Sequence, residues 1–307
     1  MSTKNLDLTY GVTSSVSLHQ GFVRSFLMNS SEAEEQGIGA GSILRRKAEG
    51  EYEWLTDEVA IEEPLEVRLG QEAIAVTMRT PGNDVELAAG FLLAEGIVRC
   101  RTDLREIAPC RLPAAFGNAV NVSLADNVKF SPVKTQRFGT ISSSCGLCGK
   151  TSIESVHQQF PPIDSTKRLE INPATLLSLP QRLQRAQGNF ARTGGIHGAA
   201  IFNDEGELII LGEDVGRHNA VDKAIGRMFL DNLLPLEGHI LLVSGRCSFE
   251  IMQKALAARI PVVAAVSAPS SLAVNFARES GQTLVGFLRP PTFNVYSHVQ
   301  RVAFEQR

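Results

Sequence analysis

The sequence predicts an α/β protein with a smaller α+β domain before the main one, and three observations lead to this prediction. The chain has 307 residues, more than one hydrophobic core usually serves, so two domains are expected. From residue 198 onwards, apolar runs alternate with segments of helical periodicity, the pattern of parallel strands joined by crossover helices. Before residue 135, strand signals instead lie next to each other with one helical segment among them.

Four regions are predicted along the chain. Residues 1–50 are polar and rich in Gly, Ser and Glu, so we expect a mobile lead-in with little fold. Residues 51–135 are expected to form the α+β domain, residues 136–172 a loop region, and residues 173–307 the α/β domain.

The elements of the α+β domain follow from its pattern. PLEVRLG and AIAVTMRT, residues 64–80, predict two strands, and the turn Thr80-Pro81-Gly82-Asn83 follows them. VELAAGFLLAEGIV predicts a helix over residues 85–98. Asn83 and Glu86 have the spacing of a capping box at its start.

The second domain has stronger signals. A helix is predicted around residues 174–188, and two strands within residues 198–214 are joined by the turn at residues 203–206. The alternation then continues with helix HNAVDKAIGRMFL, strand HILLVS, helix SFEIMQKALAARI, strand PVVAAVS, helix SLAVNFARES and strand TLVGFL.

Composition argues against several classes of function. The 30 lysine and arginine residues are spread among 33 aspartate and glutamate residues, with a net charge of −3, so nothing indicates a surface for nucleic acid, while a local basic pocket stays open. The longest apolar runs fall far short of the roughly 20 residues of a membrane span. The first residues lack the basic and apolar regions of an export signal, so we expect a cytoplasmic protein. No GxGxxG fingerprint follows a strand, which argues against a Rossmann nucleotide site.

Two of the five cysteines form a C-x-x-C motif, Cys145-Gly146-Leu147-Cys148, in the small-residue segment SSSCGLCGK. This spacing suits a redox dithiol and also half a zinc site. The other cysteines supply no second pair, so a zinc site would have to be shared across a dimer, and no metal is expected in one chain. An inert buried pair fits the glycine and serine neighbours poorly, which favours a reactive thiol on a loop.

Polar clusters in the second domain are further candidates. His197 lies at the entrance of a strand, after Gly194-Gly195. Arg246 and Ser248 lie where a strand ends and a helix begins, a position whose free N–H groups suit phosphate. Cys247 between them is a rival nucleophile, but an apolar filler is the favoured interpretation.

The densest cluster is GEDVGRHNAVDK, at a strand-to-helix junction. Its charged and titratable members are Glu213, Asp214, Arg217, His218, Asp222 and Lys223. His218 and Asp222 are spaced i to i+4, so on a helix the carboxylate could orient the imidazole. Caps and exposed ion pairs are the alternative interpretation.

Several of these motifs occur in a characteristic order: SSSCGLCG, RTGGIHGAAIF, GEDVGRHNAVDKAIG, VSGRCSFEIMQKA and LVGFLRPPTFNVYSH. With DEVAIEEPLEVRLG and AAGFLLAEGIV before them, they resemble the FdhD family of formate dehydrogenase accessory sulfurtransferases from about Asp57 to the C-terminus. The resemblance implies a cytidine deaminase-like fold for the second domain. Deaminase chemistry does not follow, because His197-Gly198-Ala199 lacks the glutamate of H-x-E and no P-C-x-x-C comes later.

The resemblance implies a sulfur carrier. A cysteine desulfurase would pass sulfane sulfur to Cys145 as a persulfide, and that sulfur would reach the bis molybdopterin guanine dinucleotide molybdenum cofactor before insertion into apo formate dehydrogenase. Cys148 would then attack the Cys145 persulfide at its inner sulfur, or hold sulfur in transit. The carrier is expected to be a homodimer that binds neither nucleic acid nor membrane.

The resemblance also implies a cofactor-binding segment, which consists of Phe287, Leu288, Arg289, Pro290, Pro291 and Thr292. Its two prolines remove two backbone donors. His197, His218 and Arg246 are expected to line the same cavity, because each lies at the end of a strand or helix. GDP is expected to mimic the cofactor, with Arg289 on a phosphate.

Two other functions remain open at the level of sequence. A thiol-disulfide oxidoreductase would use the same C-x-x-C, although such motifs normally open a helix after a strand. A cofactor chaperone without sulfur chemistry would bind the nucleotide and would not need Cys145.

Overall fold

The computed structural model describes residues 37–110, 118–128, 156–157, 159–164 and 169–303. Within these ranges the strands form three sheets, of two, four and six strands. The predicted α/β class is confirmed, because helices and strands alternate along the second half of the chain around a sheet whose three central strands include two parallel pairings. The cytidine deaminase-like arrangement stays a prediction.

The first sheet is an antiparallel hairpin of β1 (Ile38–Arg46) and β2 (Tyr52–Ala60). Nine residue pairs join the strands without interruption, from Ile38 opposite Ala60 to Arg46 opposite Tyr52. The expected lead-in of residues 1–50 is therefore wrong for residues 38–46, where pairing with a later segment outweighs a polar sequence. Residues 1–36 lie outside the described residues.

The second sheet belongs to the predicted α+β domain. It contains β3 (Glu63–Leu69), β4 (Glu72–Arg79), β5 (Leu104–Cys110) and β6 (Ala119–Leu124), in the order β4-β3-β6-β5. The two predicted strands are β3 and β4, and the predicted helix is α1 (Asp84–Ala94). Sequence reasoning missed β5 and β6.

The predicted capping box at the start of α1 is wrong. Asn83 has a left-handed backbone, with φ of 55°, and its side chain makes no capping bond. Arg79 instead holds Asp84 through two hydrogen bonds of 2.9 Å, and the acidic first turn suits the positive end of the helix dipole.

The third sheet forms the second domain. Its strands are β7 (His197–Asn203), β8 (Leu208–Asp214), β9 (His239–Val243), β10 (Val262–Ala265), β11 (Thr283–Arg289) and β12 (Thr292–Ser297), in the order β12-β11-β10-β9-β7-β8. Neighbours β9, β10 and β11 are parallel, and the other pairs are antiparallel. The helices are α2 (Pro173–Ala186), α3 (Gly188–Thr193), α4 (Arg217–Leu230), α5 (Phe249–Ala257) and α6 (Ser271–Glu279). The sequence predicted all of these except α3 and β12.

Side chains that alternate along β7 enter two different cores. Ala199 and Ile201 belong to a cluster with α4, α5 and α6, whereas Ala200 and Phe202 pack with α2 on the other face. The first cluster also includes residues of β3 and α1, such as Leu65 and Leu92, so one continuous core joins the α+β domain to the large sheet. The predicted boundaries near residues 136 and 172 stay predictions.

Candidate functional site

One edge of the six-stranded sheet collects the ends of five strands. His197 at the start of β7 pairs with Asp214 at the end of β8. Because β7 runs antiparallel to β9, its start lies beside the end of β9, and β10 and β11 end at the same edge. Ligands of open α/β sheets bind beyond the carboxyl ends of such strands.

Three helices begin at this edge, directly after β8, β9 and β10. Ser270 caps α6 by accepting a hydrogen bond from the backbone N–H of Ala273 at 3.2 Å. The residues before α4 and α5, Gly216 and Ser248, make no side-chain cap bond. The uncapped N–H groups of these two helices favour negative charge at the edge.

His218 is held by two side chains of the neighbouring α5 segment. Its Nε2 lies 3.0 Å from Ser248 Oγ and 2.9 Å from Glu250 Oε2. The carboxylate predicted to orient this imidazole, Asp222, accepts two hydrogen bonds from Lys254 Nζ at 2.7 and 2.8 Å instead. The i to i+4 prediction is therefore wrong, and the partner Glu250 was missed because it lies 32 residues further along the chain.

Two charged residues of the predicted cluster have a structural role. Asp214 is fully buried and accepts hydrogen bonds from the backbone N–H groups of Thr80 and Gly216, at 3.1 and 2.8 Å. Lys223 Nζ lies 2.8 Å from the Asp214 carboxylate and donates to the carbonyl of Thr80. These hydrogen bonds and this ion pair connect the turn before α1 with the junction of β8 and α4.

Glu213 also serves the local structure. Its carboxylate accepts hydrogen bonds from the backbone N–H groups of Asn189 and Phe190, so it caps the short helix α3. Of the cluster GEDVGRHNAVDK, Arg217 and His218 are therefore the two members suited to contact a ligand.

His197 is a half-buried histidine among positive charges. Burial lowers its pKa below the usual value, and the charges of Arg217, His218 and Arg246 lower it further, while Asp214 opposes them. Its ring lies opposite Gly245, where an added Cβ would stand 3.3 Å from Nδ1. The imidazole is therefore neutral at neutral pH.

The predicted cofactor-binding segment is the hairpin between β11 and β12. Arg289 pairs with Thr292, so Pro290 and Pro291 form the two-residue turn. The backbone N–H of Phe287 donates to Ser267 at 3.1 Å, and its ring is exposed. Leu288 is buried.

Arg289 reaches from this hairpin towards the end of β10. Its Nε donates to the carbonyl of Val266 at 2.9 Å, and the side chain is exposed. Arg246, in the loop after β9, is exposed at the same edge. The topology thus places all the predicted cofactor-binding residues at one edge, and their convergence on one ligand stays a prediction.

The described thiols differ in reactivity. Cys247 is fully buried, and burial raises the pKa of its thiol to about 12, so it packs as an apolar filler, as predicted. Cys100 is exposed and Cys110 is half-buried, both in the α+β domain. Cys145 and Cys148 lie outside the described residues.

The described residues hold neither a cluster suited to a metal ion nor a helix suited to a membrane crossing. Over these ranges there is no group of three or more histidine, cysteine, aspartate or glutamate side chains that could hold a metal ion. Across the same residues, none of the helices combines the length and the apolar character that a membrane crossing requires.

Comparison with known proteins gives a consistent result. Residues 60–303 match the model of the FdhD/NarQ family. Sulfur carrier protein FdhD of Streptomyces avermitilis is 51% identical over 252 residues, which cover 80% of this chain and 89% of that protein. The proteins of the same name from Mycobacterium tuberculosis and Sulfolobus acidocaldarius are 49% and 44% identical, and each match covers 80% of this chain and 91% of the relative.

A solved structure shows the same similarity. A crystal structure from Desulfotalea psychrophila, described as that of a formate dehydrogenase accessory protein, superposes with a TM-score of 0.67 at 26% sequence identity. The match covers 86% of this chain and 98% of that one.

Proposed function

The chain belongs to the FdhD/NarQ family, and from this premise we propose that it is a sulfurtransferase that carries sulfur for formate dehydrogenase. The relatives that match it over 80% of its length are named sulfur carrier proteins. The sulfur donor would be a cysteine desulfurase. The acceptor would be the bis molybdopterin guanine dinucleotide molybdenum cofactor, bound as a substrate before it enters apo formate dehydrogenase.

The observation that carries this proposal is the composition of the sheet edge. Two uncapped helix starts, together with the exposed Arg246 and Arg289, suit a ligand that bears phosphate groups. The thiol at that edge, Cys247, is buried and protonated, so it cannot supply the sulfur. A separate thiol must deliver sulfur to this edge, and Cys145 in the C-x-x-C motif is the proposed carrier.

Loading is a thiol exchange reaction. The Cys145 thiolate attacks the outer sulfur of the desulfurase persulfide, a new S–S bond forms, and the desulfurase cysteine leaves as a thiolate. In delivery, the Cys148 thiolate attacks the inner sulfur of the Cys145 persulfide, so that a Cys145–Cys148 disulfide forms and the outer sulfur leaves as sulfide, which the cofactor would accept as a ligand.

Mass spectrometry of the protein after incubation with a cysteine desulfurase and cysteine tests loading. We expect added sulfur atoms on the peptide containing Cys145, none on Cys247, and no loading at that peptide in Cys145→Ala. A Cys100→Ala variant is the matched control, because it removes an exposed thiol and should leave loading unchanged. Sulfur on Cys100 or Cys247 in place of Cys145 would overturn the assignment.

Two functional assays separate the remaining alternatives. Restoration of formate dehydrogenase activity in cells by Cys145→Ala would support a chaperone that only holds the cofactor. Reduction of insulin disulfides by the purified protein would support a thiol-disulfide oxidoreductase. The proposal further includes a homodimer and a cytoplasmic location, which light scattering and cell fractionation test.

A further inference from the structure

Arg217, the first residue of α4, has a buried donor without a partner. Its Nε is buried, and no acceptor lies within hydrogen-bond reach among the described residues. Buried donors in native proteins nearly always have a partner, and an exception indicates a bound ion, water or ligand. The guanidinium group lies at the start of a 14-residue helix, where the free N–H groups also favour an anion.

The surroundings of Arg217 have an excess of positive charge. Arg217 and His218 on α4, and Arg246 after β9, all act on His197 at the start of β7. The opposing acid on β8, Asp214, is already engaged by Lys223. On α5, Glu250 is engaged by His218 Nε2. Both of these carboxylates therefore already have a positively charged or hydrogen-bonded partner other than Arg217.

This cluster lies apart from the predicted cofactor-binding segment. Gly245 stands opposite His197, and β9 and β10 separate β7 from the hairpin that carries Arg289. Neighbouring strands are about 4.8 Å apart, and three such spacings separate β7 from β11. The strand that carries His197 and the strand that carries Arg289 are therefore about 14 Å apart along the edge. Arg217 and Arg289 therefore approach a bound ligand from different sides.

We propose that Arg217 and His197 form an anion subsite at the β7 end of this edge, and that His197 takes up one proton when the anion binds. The proton comes from the buffer, and the imidazolium then pairs with the bound anion. A phosphate group is the anion that the two side chains suit, because a guanidinium group binds phosphate through parallel hydrogen bonds. The identification of this phosphate as part of a guanine nucleotide cofactor rests on the proposed function.

Proton uptake has a physical reason in this geometry. Burial and positive neighbours lower the pKa of His197 in the free protein, which favours the neutral imidazole. A bound phosphate adds negative charge next to the ring, which favours the protonated form. Binding and protonation are therefore linked, and each strengthens the other.

Calorimetric titration with GDP at low salt tests the proposal. Titrations near pH 7 in two buffers that differ in ionisation enthalpy report the protons taken up. We expect net uptake by the wild type, and reduced uptake with retained binding in His197→Gln. The phosphate of GDP also titrates near pH 6, by analogy with phosphorylated side chains, but this contribution is common to both proteins and cancels in their difference.

The contribution of Arg217 is measured in the same assay. We expect Arg217→Gln to weaken GDP binding by roughly ten- to a hundred-fold, because it removes charge-assisted hydrogen bonds to the phosphate. Arg217→Lys keeps the charge and loses the Nε donor, so a smaller loss is expected, and this variant serves if Arg217→Gln does not fold. Arg278→Gln is the matched control, since it removes an exposed arginine from the last turn of α6, away from the edge. Guanosine, which lacks phosphate, should bind independently of Arg217.

The outcomes separate this subsite from the proposed function. Equal affinity of Arg217→Gln and wild type, or equal proton uptake by His197→Gln and wild type, would overturn the subsite. If Arg289→Ala still weakens GDP binding in that case, the proposed binding of the cofactor at this edge is retained and only the subsite of Arg217 and His197 is wrong. Absence of GDP binding by the wild type would overturn the subsite and the cofactor edge together.

Discussion

Gly226 of α4 touches the backbone of Glu86 in α1, because a methyl group on its Cα would lie 1.8 Å from the Glu86 carbonyl oxygen. The contact is reciprocal, since a methyl group on Gly90 would lie 2.1 Å from the carbonyl oxygen of Asp222. The two helices therefore pack backbone to backbone, and α1 sets the position of the helix that carries Arg217 and His218.

Gly226→Ala should destabilise the protein. The added methyl group meets backbone rather than a flexible side chain, so the helices must separate, at a cost of about 1–3 kcal/mol or more. Urea denaturation should show a lower midpoint with an unchanged slope. Gly188→Ala is the control, because its added methyl group meets nothing within 4 Å. Similar stabilities of the two variants would contradict the close packing.

Lys254→Met should destabilise the protein strongly. Lys254 donates two hydrogen bonds to the buried Asp222, and loss of one member leaves an uncompensated buried charge, which costs about 3–5 kcal/mol. Thermal unfolding would measure the loss. The double variant Asp222→Asn with Lys254→Met should recover part of it, because no buried charge remains. A double variant less stable than Lys254→Met would count against this explanation.

Stability should fall as the pH drops below about 6.5. Burial lowers the pKa of both His197 and His239, so the unfolded chain binds more protons than the folded protein in this range. The contribution of these two histidines to the free energy of unfolding is complete above their pKa in the unfolded chain. It is lost as the pH falls through their lowered pKa values in the folded protein. Urea denaturation between pH 7.5 and 5.5 would measure it. His197→Gln should flatten this dependence, and an unchanged slope would refute the role of His197.

Native labelling should distinguish the cysteines. Only a thiolate reacts rapidly with a maleimide, and Cys247 is buried with a raised pKa, whereas Cys100 is exposed. Peptide mapping after a short reaction near pH 7 should find label on Cys100 and not on Cys247. Denaturation before labelling should expose Cys247, which serves as the positive control. Rapid modification of native Cys247 would show that this thiol is accessible.

Cys148→Ser should separate loading from delivery. The variant keeps the proposed acceptor thiol Cys145, so sulfur should still be added by the desulfurase. If Cys148 opens the persulfide, delivery should fall, measured as formate dehydrogenase activity restored in cells. Full activity with this variant would make Cys148 dispensable.

The sequence predicted the parts of the fold that have strong local signals. The alternation from β7 to β11 was predicted because apolar runs and amphipathic helices repeat there. The hairpin of β1 and β2 was missed because its strands are polar and gain their order from pairing with each other. The edge strand β12 was missed because the prolines before it indicated an exit turn.

The positions of the candidate residues follow from sequence in part, whereas their role stays a prediction. His197, His218 and Arg246 were selected because they lie near strand or helix termini, and the topology places these positions at one edge. The pairing of His218 with Glu250 could not be predicted, since it depends on how α4 and α5 pack. The same packing brings Lys254 of α5 within hydrogen-bond distance of Asp222 of α4, and no spacing within one helix could indicate this pair.

The edge of the six-stranded sheet can be completed only late in protein synthesis, because its residues are far apart in the sequence. The edge combines His197 of β7 with Arg289 of β11, almost a hundred residues later in the chain, and the loops after β9 and β10 lie between them. A growing polypeptide emerges from the ribosome with its N-terminus first and folds domain by domain. Until the β11–β12 hairpin has emerged, the nascent chain has only half of the edge at which we propose that the anion binds. A ligand that requires both halves therefore binds only a completed protein, and every bound molecule stabilises the whole sheet against unfolding.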